Sequence, residues 1–304
     1  MRIRAVFLIS VAAIPLIAAP IEARETLRDR MRARMVQKLE APSAAGAVEK
    51  DYGSDPLQKL DFWKAKAPGA PLVIFVHGGG WKRGDKGNAT GADKVTHWQG
   101  QGYAVASINY RLVPANTVEQ QAQDVADAVA WLRGHAADLG FDPGRIVLAG
   151  HSAGAHLVAL VGTDARYLEQ AGLRLSDVRG VMPIDGAAYD VATQMKEAGA
   201  MMGKTFTQAF GADPERQRAL SPTAHAAAPN APAFLILHVQ REDGLRQARV
   251  LAEALQKVGT LVTIEGFPGT GLKGHMEINR ALGQPDYPAT PVVDLWLAQR
   301  FAVD

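Results

Sequence analysis

Cysteine is absent from the 304 residues. That one absence excludes a thiol nucleophile, a thiolate metal site, a disulfide framework and a lipidated N-terminal cysteine. A dominant charge is lacking too: 33 basic and 31 acidic residues leave no excess that would mark a nucleic-acid or polyanion partner. There is no internal repeat, no low-complexity block and no H-E-x-x-H metal motif. What is present in quantity is apolar surface, 47% of the residues, enough to bury the core of one α/β domain and suited to a small-molecule substrate.

The first residues, "MRIRAVFLISVAAIPLIAAPIEA", set Arg2 and Arg4 ahead of an apolar run broken by Pro15 and followed by small residues. This is the layout of a secretory signal peptide over residues 1–23. Pro20 disfavours cleavage after Ala19 and leaves Ala23 as the expected site. The run is too short to span a bilayer comfortably, so no stable span is expected after processing and the destination is the periplasm or the medium. Residues 24–47 form a helical and linker segment, with Leu27, Met31, Met35 and Leu39 striping a basic helix. That stripe suits a membrane surface, the parent domain or a free helix alike. "APSAAGA" then opens onto a catalytic domain expected over 48–304.

From residue 71 short apolar runs alternate with amphipathic helical segments: "PLVIFVHGGG", "YAVASINYRL", "RIVLAGHSAG", "VRGVMPID", "AFLILHV" and "LVTIEGF" read as strands. Continuous apolar strands separated by helices predict a mostly parallel sheet covered on both faces. Ligands of such sheets sit at the strands' carboxyl ends. Residues 189–222 interrupt the alternation with Met-rich helical sequence, either a small cap or ordinary helix packing.

"LAGHSAG" contains Gly150-His151-Ser152-Ala153-Gly154 between an apolar strand and a helical run. A serine on such a strand-to-helix turn is pushed into the cleft and is the expected nucleophile. "VIFVHGGGW" ends an earlier strand with consecutive glycines able to turn their amides inward. Gly79, Gly80 and Ala153 are therefore the expected oxyanion donors. Of the eight histidines, His275 stands in the glycine-rich "FPGTGLKGHMEINRALG" after the last strand, where the base of a Ser-acid-His order belongs. His77 should brace the glycine loop, and His151 and His156 should pack around the elbow. His97, His135, His225 and His238 read as surface or core residues.

"HGGGW", "INYRL" and "GHSAGAHL", in this order, resemble the HGGG-type α/β-hydrolase esterases. "YGSDPLQKLDFW" ahead of them looks like the opening strands of their BD-FAE and kynurenine-formamidase-like relatives. The resemblance spans roughly residues 50 to 300 and implies an α/β-hydrolase fold and a serine carboxylesterase for short acyl or aryl esters, with no cofactor and no metal. "HMEINRALG" also resembles the formamidase histidine loop, so an arylformamidase acting on a formamide is the alternative. A binding protein on a hydrolase fold is the reading of a different class. The acid is expected at Asp243, which ends "AFLILHVQRED" just past the strand, with Glu242 and Asp185 as alternatives; the family's usual longer loop with a V-P pair is missing there. Asp190 and Asp213 read as loop or capping residues. Trp81, Tyr189, Met195, Met201, Met202 and Phe206 are candidates for the substrate pocket. Oligomeric state has no signature in the sequence.

Overall fold

The computed structural model describes residues 44–302 apart from 228, all within the unit Leu39–Asp304. The expected leader and most of the 24–47 segment lie outside the described residues.

Eight strands form one sheet: β1 Val48–Asp51, β2 Lys59–Trp63, β3 Ala70–Val76, β4 Ala104–Ile108, β5 Phe141–His151, β6 Gly180–Ile184, β7 Ala233–Gln240 and β8 Leu261–Thr270. Their spatial order is β1-β2-β4-β3-β5-β6-β7-β8. β1 and β2 run antiparallel to their neighbours; the pairs from β4 through β8 are parallel. Every residue of β3, β4 and β6 is buried, as expected of strands covered on both faces.

The period of two along each strand divides the core. Leu72, Ile74 and Val76 of β3 join Ile146 and Leu148 of β5 on one face. Val73 and Phe75 join Val147 and Ala149 on the other. Seven longer helices matter here: α1 Ala92–Gly100, α2 Val118–Gly134, α3 Ala153–Thr163, α4 Ala200–Phe210, α5 Glu242–Lys257, α6 Gly271–Ala281 and α7 Ala289–Phe301. The first face packs under α2, α3 and α5, the second under α1 and α7. Thr117 and Gln120 start α2 with a reciprocal capping box. All 11 residues of α3 are buried, so its uniformly apolar sequence has no solvent face to serve.

α5 begins at Glu242, one residue after Arg241, so Asp243 already lies in its first turn. The glycine-rich segment around His275, expected as a loop, is not one. β8 extends to Thr270 and α6 begins at Gly271, which puts the histidine on a helix. Residues 189–222 are mainly short helices, with Phe206, Ala209, Phe210 and Leu220 packed into the first core face.

Candidate active site

Ser152 joins the end of β5 to the start of α3 with φ 58° and ψ −116°. A left-handed backbone is rare for a residue with a side chain, and it is what tips the hydroxyl out of the sheet at the turn. The flanking glycines answer close approaches. A Cβ on Gly150 would lie 2.4 Å from the Gly154 carbonyl oxygen, and one on Gly154 would lie 2.1 Å from that of Val76.

His275 meets the serine. Its Nε2 lies 3.0 Å from Ser152 Oγ, and its Nδ1 lies 2.5 Å from Asp185 Oδ2. With Nδ1–H donating to the carboxylate, Nε2 is left to accept from the serine hydroxyl. The carboxylate on His275 is thus Asp185, directly after β6, and not Asp243. Asp185 is fully buried and also takes the Val239 N–H at 3.1 Å and Arg241 Nε at 3.0 Å. Burial by itself would raise its pKa. The His275 hydrogen bond, the charges of His275 and Arg241 and the Val239 amide outweigh burial and hold it well below the usual carboxylate range.

Asp243 instead pairs with Arg241 Nη1 at 3.3 Å and is 38% exposed. The physical reason is the abrupt start of α5, which turns the chain before the carboxylate can reach over the sheet. Glu242 is 93% exposed and pairs with Arg246. Arg241, which sequence reasoning passed over, also donates to the Asp185 and Gly186 carbonyls at 3.4 and 3.3 Å. No local pattern marks it, because its role depends on β6 lying beside β7.

Two further buried groups hold the helix that carries His275. The His151 ring packs 4.5 Å from that of His275, and its Nε2–H donates to the His275 carbonyl at 2.9 Å. Burial first, and then the charge of His275, push the His151 pKa well down, so this ring is neutral. Lys94 of α1 is fully buried, lies over the Phe75 ring at 5.1 Å and donates to the Asn279 carbonyl near the end of α6. Burial draws its pKa down to about 7. His151 was expected to pack around the elbow; it touches the histidine itself.

The glycine loop follows β3. Gly79 and Gly80 have φ 128° and 63°, and a Cβ on Gly78 would lie 2.9 Å from Ser152 Cβ, so the loop passes directly over the elbow. His77 stacks on Tyr110 at 4.3 Å with Nδ1 2.7 Å from the Gly78 carbonyl oxygen, and burial lowers its pKa to about 4. Ala153 is the first residue of α3, where backbone N–H groups have no partner within the helix.

The Trp81 carbonyl accepts from Val113 N and Gln121 Nε2, and its indole N–H donates to His156 Nδ1 at 3.3 Å. His156 Nε2–H donates in turn to the Leu220 carbonyl, and burial lowers the pKa of this neutral ring to about 4. Phe210 of α4 closes on the indole at 4.7 Å. Trp81, Tyr189 and Phe206 are accordingly 3%, 1% and 3% exposed. They are packing residues with almost no surface for a substrate, a correction to their expected place in a pocket. Met195 and Met202 are partly buried against the same core, and the Met201 side chain lies outside the described residues. Asp190 and Asp213 cap short helices. Among the described residues no group of three or more His, Cys, Asp or Glu is placed to hold a metal ion.

The BD-FAE family model matches residues 60–255. The chain belongs to the BD-FAE family. This BD-FAE chain is 33% identical over 236 residues to Esterase LipC of Mycobacterium tuberculosis, covering 72% of the chain and 58% of LipC. It is 32% identical over 216 residues to the probable carboxylic ester hydrolase LipM of the same organism, covering 66% and 49%. The BD-FAE chain therefore spans about half the length of the named relatives it matches. Among solved structures, esterase B from Lactobacillus rhamnosis superposes with a TM-score of 0.70 at 22% identity, covering 90% of each chain. The apo form of Thermogutta terrifontis esterase 2 gives 0.67 at 24%, covering 86% of this chain and 98% of that one. The sheet and these neighbours make the fold an α/β-hydrolase fold.

Proposed function

We propose that this BD-FAE chain is an exported carboxylic-ester hydrolase that works through an acyl-enzyme on Ser152. The observation that carries the reading is the continuous relay from Ser152 Oγ through His275 to Asp185, at 3.0 and 2.5 Å. Ser152 Oγ attacks the ester carbonyl carbon while its proton passes to His275 Nε2. The imidazolium so formed is stabilised at Nδ1 by Asp185, whose depressed pKa keeps it an acceptor. The N–H groups of Gly79, Gly80 and Ala153 receive the oxyanion, each such donor contributing about 2.7–4 kcal/mol to the transition state. Collapse expels the alcohol, which takes the proton from Nε2. Water activated by the same nitrogen then releases the acid and restores the serine.

The names of LipC and LipM support ester chemistry, and the Arg2/Arg4 leader supports export to the periplasm or medium. Short acyl or aryl esters are the proposed substrates. The deciding assay sets p-nitrophenyl acetate, p-nitrophenyl butyrate and N-formylkynurenine side by side, with Ser152→Ala as the blank. Ester turnover that vanishes in the variant is expected. A formamide kcat/KM well above the esters would make the protein an arylformamidase instead, and silence on all three would leave a binding protein.

A further inference from the structure

Beside the glycine loop lies a cleft of about 720 Å³ lined by Lys82, Gly203, Lys204, Thr207 and Gln208. Lys82 follows Trp81 directly on the loop that carries Gly79 and Gly80. Lys204 comes from α4, whose next residue, Thr205, touches that loop: a Cβ on Gly80 would lie 3.0 Å from Thr205 Cγ2. The cleft is thus tied to the glycine loop at Lys82 and through the Thr205–Gly80 contact, although Gly79 and Gly80 do not themselves line it.

Its charge is unbalanced. Neither lysine has a carboxylate partner among the described residues, and none of the lining residues is acidic. Arg83, the next residue along, folds back against Gly79, and its Nε is buried without a hydrogen-bond partner among the described residues. Nearby cations with no part in the cleft are neutralised: Arg216 by Glu119, Lys86 by Glu49 and Asp61. In a chain of nearly balanced charge, three unpaired cations around one loop create a local positive field that a neutral substrate would not use. Thr207 and Gln208, residues that carry a hydroxyl and an amide, line the same cleft.

We propose that this cleft binds an anionic group, such as a carboxylate, carried by the ester substrate, so that the preferred substrates are negatively charged esters. The inference rests on the ester-hydrolase reading above and deepens it. The charge can sit on the acid or the alcohol part, and two substrate pairs separate these. 4-Nitrophenyl hydrogen glutarate against 4-nitrophenyl valerate places it on the acid side; 4-acetoxybenzoate against phenyl acetate places it on the alcohol side.

The quantity read is the ratio of kcat/KM for the anionic over the neutral member, in wild type, in Lys82→Gln/Lys204→Gln and in Lys204→Glu. Comparing each variant with wild type cancels the intrinsic reactivity of the two esters. In at least one pair the ratio should fall about tenfold in the double variant, as expected for two unit charges in a solvent-rich cleft. It should fall further in Lys204→Glu, and fall with added salt in wild type. Ratios unchanged in both pairs, with the neutral esters still hydrolysed by wild type, overturn the anion site and leave the ester hydrolase standing. No turnover of any ester by wild type overturns the ester-hydrolase reading and this inference with it.

Discussion

The ends of β6 and β7 are neighbours in the sheet, and each is followed by an aspartate, yet the two carboxylates live in different environments. Asp185 has no exposed surface and sits 2.5 Å from His275. Asp243 is 38% exposed and 3.3 Å from Arg241. The residue type is the same; Asp185 directly follows β6, whereas Asp243 comes three residues after β7. After β6 the chain places Asp185 in a left-handed conformation, φ 43°, with its N–H bonded to the Leu237 carbonyl, which points the side chain into the sheet. After β7 it enters a helix at once. Arg241 stands between the two carboxylates and bonds both, so the contrast is between a desolvated, multiply held acid and a solvated one sharing the same cation. An acid suits a triad when burial is offset by directed partners, and only the β6 end supplies them.

The comparison breaks most visibly at Asp185. Asp185→Asn should cut kcat on p-nitrophenyl butyrate by about 10²–10⁴-fold, because the wrong histidine tautomer is favoured; near-normal turnover would return the role to Asp243. The same variant should respond differently to acid. Pairing depresses the folded-state pKa of Asp185 below its reference of 3.8. The unfolded chain therefore takes up that proton first, and the stabilisation is complete above about pH 4 and lost as the pH falls further. A melting series should then show a shallower acid-side decline of Tm in Asp185→Asn than in wild type.

Arg241→Met tests the shared cation. It removes a charge-assisted partner from a buried carboxylate, a loss of about 1–3 kcal/mol, and kcat should drop about tenfold. An unchanged kcat would show that His275 and the Val239 amide suffice to hold Asp185. The smallest effect belongs to Asp243→Asn, which should change kcat less than about twofold, as expected for a solvent-screened pair.

The serine turn was legible because it announces itself locally. G-H-S-A-G encodes a turn that only small flanking residues permit, and the 2.1 and 2.4 Å approaches at Gly154 and Gly150 are the physical content of that motif. The strands were legible because burial on both faces leaves uninterrupted apolar runs such as Ala70–Val76. His275 was found by chain order, although it stands on a helix and not in the expected loop. The acid was not legible in the same way. Its usual position after β7 is occupied by an aspartate that looks suitable; the missing V-P loop and the early helical run "DGLRQARVLAEAL" signalled a shortened connection, but not which carboxylate meets the histidine.

The aromatic candidates show a related limit. Trp81 and Phe206 have the composition of a pocket wall, but the Trp81–His156–Leu220 chain of hydrogen bonds and the Phe210 contact bury them as the joint between the glycine loop and α4. Apolar side chains fit a core and a pocket equally well by composition. Exposure separates the two, and exposure depends on which helix lies over the loop.

What the sequence by itself determined is what short-range sterics and hydrophobic periodicity encode: the parallel sheet, the strained serine turn, the glycine loop and the presence of a late histidine. Only the tertiary structure decided which aspartate meets that histidine, that Arg241 binds both acids, that His151 and Lys94 hold its helix, and that Lys82 and Lys204 face one cleft. Apart from Arg241–Asp243, those contacts join residues far apart in the chain, and electrostatic and hydrogen-bond partners are selected by distance in space and by desolvation, neither of which a linear pattern carries.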